Sequence, residues 1–420
     1  MSVQDALGDG SSFAAPEPDL TPAELVRRAR ALRPMLRAQQ EAADARGWYL
    51  DEVHEALRAG GFYRVVQPRR FGGYEFEPGT LARVVIEIAR GHPSSGWCYC
   101  LSSSHALTVA SHFGAAAQAA LFGPDGDFRS PHRSPPAGTL QRVAGGYRVS
   151  GAWQYASGAP ICTHFMGGAV IPPADGRPPR GVDFIVPRER IEILDDWGGD
   201  RSLGMQGSGS HTVRLDDVFV ADEFIVNSIL LTLPDWRDGT PGTRLHGNPM
   251  YLGVPAGIYH ATFGAILTGT AHAAIDEFEE IMRRKAVMGN PSLMRTHDPT
   301  SQAALGEAMA MTHAAEAITL SVMDEYMDQA RRWQATGQSI TSEDTFKLWA
   351  TAQRGCFLAC DAVQLLFRAA SASSSHKGQR MQRYFRDIQM YLVHPSAQPI
   401  VAQFYAQHRL GLGQPLGLSS

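Results

Sequence analysis

The sequence predicts an α+β multidomain protein with an N-terminal α-helical domain, a central β-barrel or sandwich and a C-terminal four-helix bundle. Changes of texture carry that expectation. Apolar residues recur at helical spacing up to about residue 124. From Asp125 the pattern turns to short alternating runs, with frequent Gly and Pro between them. From Tyr251 helical spacing returns in long segments. The expected units are a tail over 1–20, a helical domain over 21–124, a β-domain over 125–230, a connector over 231–250 and the bundle over 251–420.

In chain order, the first residues are rich in Gly, Ser, Pro and acidic side chains, with little to bury. Thr21, Pro22 and Glu24 form a helix start: a hydroxyl N-cap, Pro at the first position, Glu at the third. One helical pattern runs through Leu25, Ala29, Leu32, Met35 and Leu36. A second follows Gly47 and ends at Gly60-Gly61. Pro68 to Gly73 is a glycine-dependent turn. Thr80 to Arg90 reads as a helix, and Gly96 to Phe113 as one apolar helix carrying Ser102, Ser103, Ser104 and His105. Strands are expected near 139–144, 146–151, 162–171, 182–187, 191–196 and 211–219.

The most informative strand opens at the Gly145-Gly146 turn. Tyr147, Val149, Trp153 and Tyr155 then punctuate small or polar neighbours, up to Ala156-Ser157-Gly158, where small residues let a flat ligand approach the backbone. In the bundle, helices are expected at Tyr259–Met282, Thr300–Gln334, from a Thr341/Asp344 cap, and from Met381 to about Leu410 with a break at His394-Pro395. Arg283, Arg284 and Lys285 read as a basic helix end.

Composition narrows the function classes. The 420 residues are 44% hydrophobic and 19% charged, with a net charge of −4, so nothing draws the chain to nucleic acid or an anionic membrane. No apolar run nears the ~20 residues of a membrane span, and the N-terminus lacks a basic-then-apolar leader; a cytoplasmic protein is expected. Five cysteines fit buried thiols better than a disulfide framework. His and carboxylate residues show no metal-ligand spacing, so no metal is expected.

The 145–158 strand, followed by Trp197 and Leu203 to Ser210, resembles the flavin-facing β-domain of the acyl-CoA dehydrogenase superfamily, and more narrowly its two-component flavin-dependent monooxygenases. The domain order agrees from about residue 22 to 410. The resemblance implies that Trp153, Tyr155, Ser157 and Gly158 run past the flavin edge. Ser130 and Ser134, in the Phe128–Pro135 segment, would lie beside the ring or the substrate. It also implies that Arg295 and the serine run at 371–375, including Ser373 and Ser374, hold the cofactor's phosphate end. Relatives carry a glycine pair there; this chain does not. The stretch Arg383 to His394 resembles the Arg-x-x-Arg-Asp…His segment of flavin hydroxylases, which implies a catalytic His394 at the reactive edge. Arg386-Asp387 reads as an adjacent ion pair. His105 is a second, substrate-side candidate, with His112 a weaker rival.

The implied function is the oxygenase component of a two-component monooxygenase. Reduced FMN or FAD would come from a separate NAD(P)H:flavin reductase, and O2 would react through a C4a-hydroperoxide to hydroxylate a phenolic ring or oxidise N or S. A homotetramer is implied by the fold. The alternatives are an acyl-CoA dehydrogenase-like FAD oxidoreductase and a catalytically silent ligand-binding paralogue. The dehydrogenases need a carboxylate base, and no Asp or Glu follows Ile388; Glu280 is the remaining candidate. Leu230, Leu231, Trp236 and Tyr251 are expected to line a mixed apolar pocket.

Overall fold

The computed structural model describes residues 14–123, 125–173, 178–228, 236–253 and 255–412. Thr21 caps α1 (Pro22–Ala31), its Oγ1 accepting from Glu24 N at 3.2 Å. The single helical pattern expected beyond it is three short helices: α1, α2 (Arg33–Ala38) and α3 (Gln40–Arg46). Pro34, in the first turn of α2, supplies no N–H to continue the helix. Part of the expected tail is fastened down, because Arg28 grips Glu17 at 2.7 and 2.8 Å and Leu20 is buried.

α4 (Asp51–Ala59), α5 (Pro78–Gly91), α6 (Pro93–Ser103), α7 (His105–His112) and α8 (Ala115–Phe122) complete this domain. The expected helix over 96–113 is therefore two. Ser102 and Ser103 both donate to the Tyr99 carbonyl, competing with the helix ladder just before the break at Ser104.

The middle of the chain forms one sheet of β1 (His132–Arg133), β2 (Gly138–Val143), β3 (Gly146–Trp153), β4 (His164–Ile171), β5 (Arg180–Pro187), β6 (Glu192–Ile193), β7 (Val213–Ala221) and β8 (Ile225–Asn227). Its order is β6-β7-β3-β2-β4-β5-β8, with β1 parallel to β4. The sheet wraps a core of its own that includes Leu140, Val149, Trp153, Phe165, Phe184 and Leu215.

Beyond it come α9 (Pro241–His246) and then the bundle: α10 (Pro255–Arg284), α11 (Pro299–Thr336), α12 (Ser342–Ala369), α13 (Arg380–Leu392) and α14 (Ile400–Arg409). Thr341 and Asp344 make the reciprocal cap at the start of α12. A hairpin of β9 (Ala286–Val287) and β10 (Asn290–Met294) joins α10 to α11. α10 packs on α11, α12 and α5, tying the bundle to the N-terminal domain. All five cysteines are buried and free. Among the described residues no helix is long and apolar enough to cross a membrane, and no group of His, Cys, Asp or Glu could hold a metal.

Candidate active site

The Arg383–Asp387 segment fastens three parts of the chain together. Arg383 Nε donates to Asp44 Oδ2 on α3 at 2.8 Å, and Asp44 Oδ1 meets His92 Nε2 at 3.2 Å. Asp387 Oδ1 accepts from the backbone N–H of Met205 at 2.6 Å, while Arg386 donates to the Leu203 carbonyl at 3.1 Å. The adjacent Arg386–Asp387 ion pair expected from sequence does not form; the two side chains grip different groups of the 203–206 loop. Gly204 permits this, since a Cβ there would stand 2.3 Å from the Arg386 carbonyl oxygen. Burial and the nearby Asp44 push the Asp387 carboxyl up to about 6. α13 is thereby held against both other domains, and it ends at Leu392, two residues before His394.

His394 caps the short turn Pro395–Ala397, and its Nδ1 accepts from Ser396 N at 3.1 Å. A nitrogen that accepts a backbone N–H carries no proton, so the neutral ring has its hydrogen on Nε2. The ring packs 4.9 Å from Phe263 and 6.1 Å from Trp97. Burial, with a smaller push from Arg133, holds its pKa down to about 4.

Trp97 Nε1 donates to Ser157 Oγ at 3.0 Å, Ser157 Oγ meets Ser210 Oγ at 2.7 Å, and Ser210 meets Ser208 at 2.6 Å. Gly158, at φ +86°, brings the backbone close to Ser102 and the Cys98 carbonyl; a Cβ there would lie 2.9 Å from Ser102 Cβ. Tyr155, at φ +60°, leaves the strand path and is 56% exposed, with its ring centroid 5.8 Å from that of Trp197. The Trp153 side chain points the other way, into the sheet's core, where Nε1 donates to the Gly168 carbonyl at 2.9 Å. It shapes the wall from behind.

His105 and His394 meet α10 one turn apart, at Tyr259 and Phe263. Its Nδ1 lies 2.8 Å from the Ser130 carbonyl oxygen. A carbonyl only accepts, so the proton sits on Nδ1 and Nε2 keeps a lone pair. Burial, then the neighbouring His132, lower its pKa to about 3. Tyr259 is 5.3 Å from this ring. Tyr259 and Phe263 are one turn apart on α10, about 6 Å along its axis, and link the two histidines. Beside Tyr259, Leu107, Thr108, Gly253 and Ile258 border a crevice too tight for a water molecule. The Thr108 hydroxyl is buried with no protein partner, as is that of Ser134. Ser130 lends its carbonyl to His105, and its own hydroxyl bonds to the Pro131 carbonyl at 3.0 Å. His112 is turned to the Gly253 carbonyl at 3.0 Å.

Trp236 and Tyr251, expected to line an apolar pocket, do not; the described connector instead borders a polar surface hollow with Arg237, Asp238, Thr243 and Arg244 against Trp333. Trp236 donates to the Leu252 carbonyl and Tyr251 to the Val66 carbonyl, and both are core. Leu230 and Leu231 lie outside the described residues. Glu280, the fallback base for a dehydrogenase, is engaged with Arg37 at 2.7 Å.

A second cluster stands at the 285–295 hairpin. The Arg295 backbone N–H donates to the Lys285 carbonyl at 3.0 Å, setting the two residues side by side. The Arg295 guanidinium reaches Ser301 at 3.2 Å and the Ala369 carbonyl. Lys285 Nζ donates to Ser373 Oγ at 2.6 Å, and Ser371 Oγ is 3.2 Å from Ser373 Oγ. The Ser374 hydroxyl is spent on the Ala370 carbonyl. Lys285 was hidden in sequence within a run that reads as a helix end; only the hairpin brings it to Arg295.

Ser371 adopts φ +82°, ψ 162°, a region open essentially to glycine alone. The loop thus keeps a glycine backbone without a glycine. Ser371→Gly is expected to stabilise the protein by about 1 kcal/mol, strain relief less the added entropy of the unfolded chain. A rise of roughly 2 °C in thermal midpoint would register it, and a fall would show that the serine side chain holds the turn.

The acyl-CoA dehydrogenase, C-terminal domain family matches residues 261–399. The oxygenase subunit HsaA of a flavin-dependent monooxygenase from Rhodococcus jostii (strain RHA1) is 31% identical over 381 residues, 89% of this chain and 94% of that protein. The oxygenase component of an FADH(2)-dependent resorcinol hydroxylase from Rhizobium sp. (strain MTP-10005) is 33% identical over 273 residues, 63% of this chain and 64% of that protein. The crystal structure of 3-HSA hydroxylase from Rhodococcus sp. RHA1 matches with a TM-score of 0.82 at 28% identity, covering 93% of this chain and 97% of that one. With that likeness running through all three parts of the fold, the chain belongs to the flavin-dependent monooxygenases built on the acyl-CoA dehydrogenase fold, as an oxygenase component that uses reduced flavin and O2.

Proposed function

We propose that this oxygenase component hydroxylates a phenol, using two neutral histidines of opposite hydrogen-bonding sense. The observation that carries this reading is that pairing across Tyr259 and Phe263: His394 presents an Nε2–H donor, and His105 an Nε2 acceptor. A phenolic hydroxyl donates its hydrogen to His105 and gains electron density in the ring. His394 donates to the oxygen that departs. Both rings stay neutral because burial opposes their charging.

The residues fit a flavin at both ends. Ser157 Oγ has two acceptor sites, and the Trp97 N–H and the Ser210 O–H can fill both, leaving its own hydrogen free to reach a ring acceptor. Lys285, Arg295 and the serine run make a doubly cationic cradle suited to a diphosphate, which favours FAD over FMN. When bound, reduced flavin supplies the electrons that activate O2 and passes on one oxygen atom. The protein's part is to orient the ring, exclude water and keep hydrogens on the stated atoms. The reading includes a separate NAD(P)H-dependent reductase, a homotetramer and a cytoplasmic setting.

The test is anaerobic stopped-flow. Protein with reduced FAD or FMN is mixed with oxygenated buffer, and absorbance between the reduced and oxidised flavin spectra is followed. A long-lived transient is expected, shortened at least tenfold in Ser157→Ala through loss of one buried donor. Reoxidation at the rate of free flavin would overturn the proposal.

A further inference from the structure

Asp183 lies mid-strand in β5 between Val182 and Phe184, and none of it is exposed. A buried carboxyl group needs polar company. Its Oδ1 is 3.1 Å from Nε2 of His132, whose side chain is 3% exposed. A carboxylate only accepts, so His132 carries a hydrogen on Nε2. That ring stands at 90° to His105, with centroids 5.4 Å apart.

The His105 ring bonds through Nδ1 to the Ser130 carbonyl, and the Leu101 carbonyl one turn back on the chain also acts on it. Tyr259 on α10 closes one side and His132 on β1 closes another. Behind them, Asp183 on β5 also acts electrostatically on Tyr259 and on His112 of α7. For stability alone an apolar pair would serve as well, since buried ionic pairs are often neutral or worse than hydrophobic replacements. A polar pair set behind a polar acceptor points to orientation.

We propose that Asp183 and His132 are positioning residues: Asp183 holds His132, His132 holds the His105 ring, and His105 Nε2 is thereby aimed at the substrate hydroxyl. The inference rests on the phenol reading above and adds the device that enforces it.

The test compares binding of 4-chlorophenol, which stays protonated at neutral pH, with that of 4-chloroanisole, its methyl ether, to the full-length protein. The ether lacks the hydrogen that His105 would accept. Wild type is expected to favour the phenol about tenfold, the worth of one buried hydrogen bond. In Asp183→Leu/His132→Leu, an apolar exchange chosen to preserve folding, that ratio should fall to near one while affinity for the ether holds. Asp183→Leu alone, which removes the acceptor of the His132 Nε2–H, should lower it at least threefold and decides the matter if the double variant does not fold. A ratio kept at the wild-type value, or both ligands weakened by one factor, would overturn the proposal. Absence of the flavin transient in wild type, with the ratios as expected, would sink the oxygenase mechanism and leave the positioning intact. The transient with unmoved ratios would do the reverse.

Discussion

His394→Ala should lower product formation by about two orders of magnitude or more, while His394→Gln keeps activity within roughly tenfold of wild type. The difference follows from the hydrogen-bond pattern. Nδ1 of His394 is occupied by the Ser396 N–H, so the group offered to the site is Nε2–H. A glutamine amide supplies an N–H at similar reach, but it cannot serve as a base. If His394 worked by taking a proton, Gln would be as inactive as Ala, and equal loss in the two variants would refute the donor role. The pH dependence makes the same distinction. Burial holds this imidazole at about 4, so its protonation state is constant from pH 6 to 8. The rate of the oxygen-transfer step in single turnovers should be flat over that range; a step centred near 6.5 would mean that the ring titrates as it does in water.

Much of this architecture was legible because it is encoded locally. The Thr21 cap, the Thr341–Asp344 reciprocal cap and the Gly145 turn each satisfy backbone groups within a few residues. The candidate site was suggested only through resemblance, and its expected geometry holds unevenly. Trp153 and Tyr155 sit two apart and read as sharing one face, yet one is core and the other exposed. The register of β3 shifts between Val149 and Gly151, and the chain turns to positive φ at Tyr155, so alternation fails where it mattered. Lys285 needed the hairpin, and the partners of Arg383 needed α3. One signal was present and unread: Asp183 is a carboxylate inside an apolar run, Val182 to Val186, where burial forces a partner.

Acid should unfold this protein well before it silences the chemistry. Burial lowers the pKa of His105 to about 3 and those of His112, His164, His246 and His394 to about 4. The unfolded chain returns each to about 6.5. Between these values the unfolded state binds more protons, so stability falls as pH drops through 6.5 toward 4 and is full above that window. Each group contributes about 1 kcal/mol between pH 7.5 and 5.5, and five together on the order of 5 kcal/mol, comparable to the whole stability of many domains. Asp387 runs the other way: with its carboxyl raised to about 6, the folded state takes up its proton first, which offsets part of one histidine's share. The urea midpoint should therefore drop steeply from pH 7.5 to 5.5, with a net uptake of several protons on unfolding, since burial lowers His54, His211 and His260 in the same direction. An unchanged midpoint would mean that these rings are hydrated rather than buried. These five histidines belong to all three parts of the fold, so the loss is global, and an acid limb in steady-state activity near pH 5.5 reports unfolding. His394 itself would titrate only below that limb, in a protein no longer folded to use it.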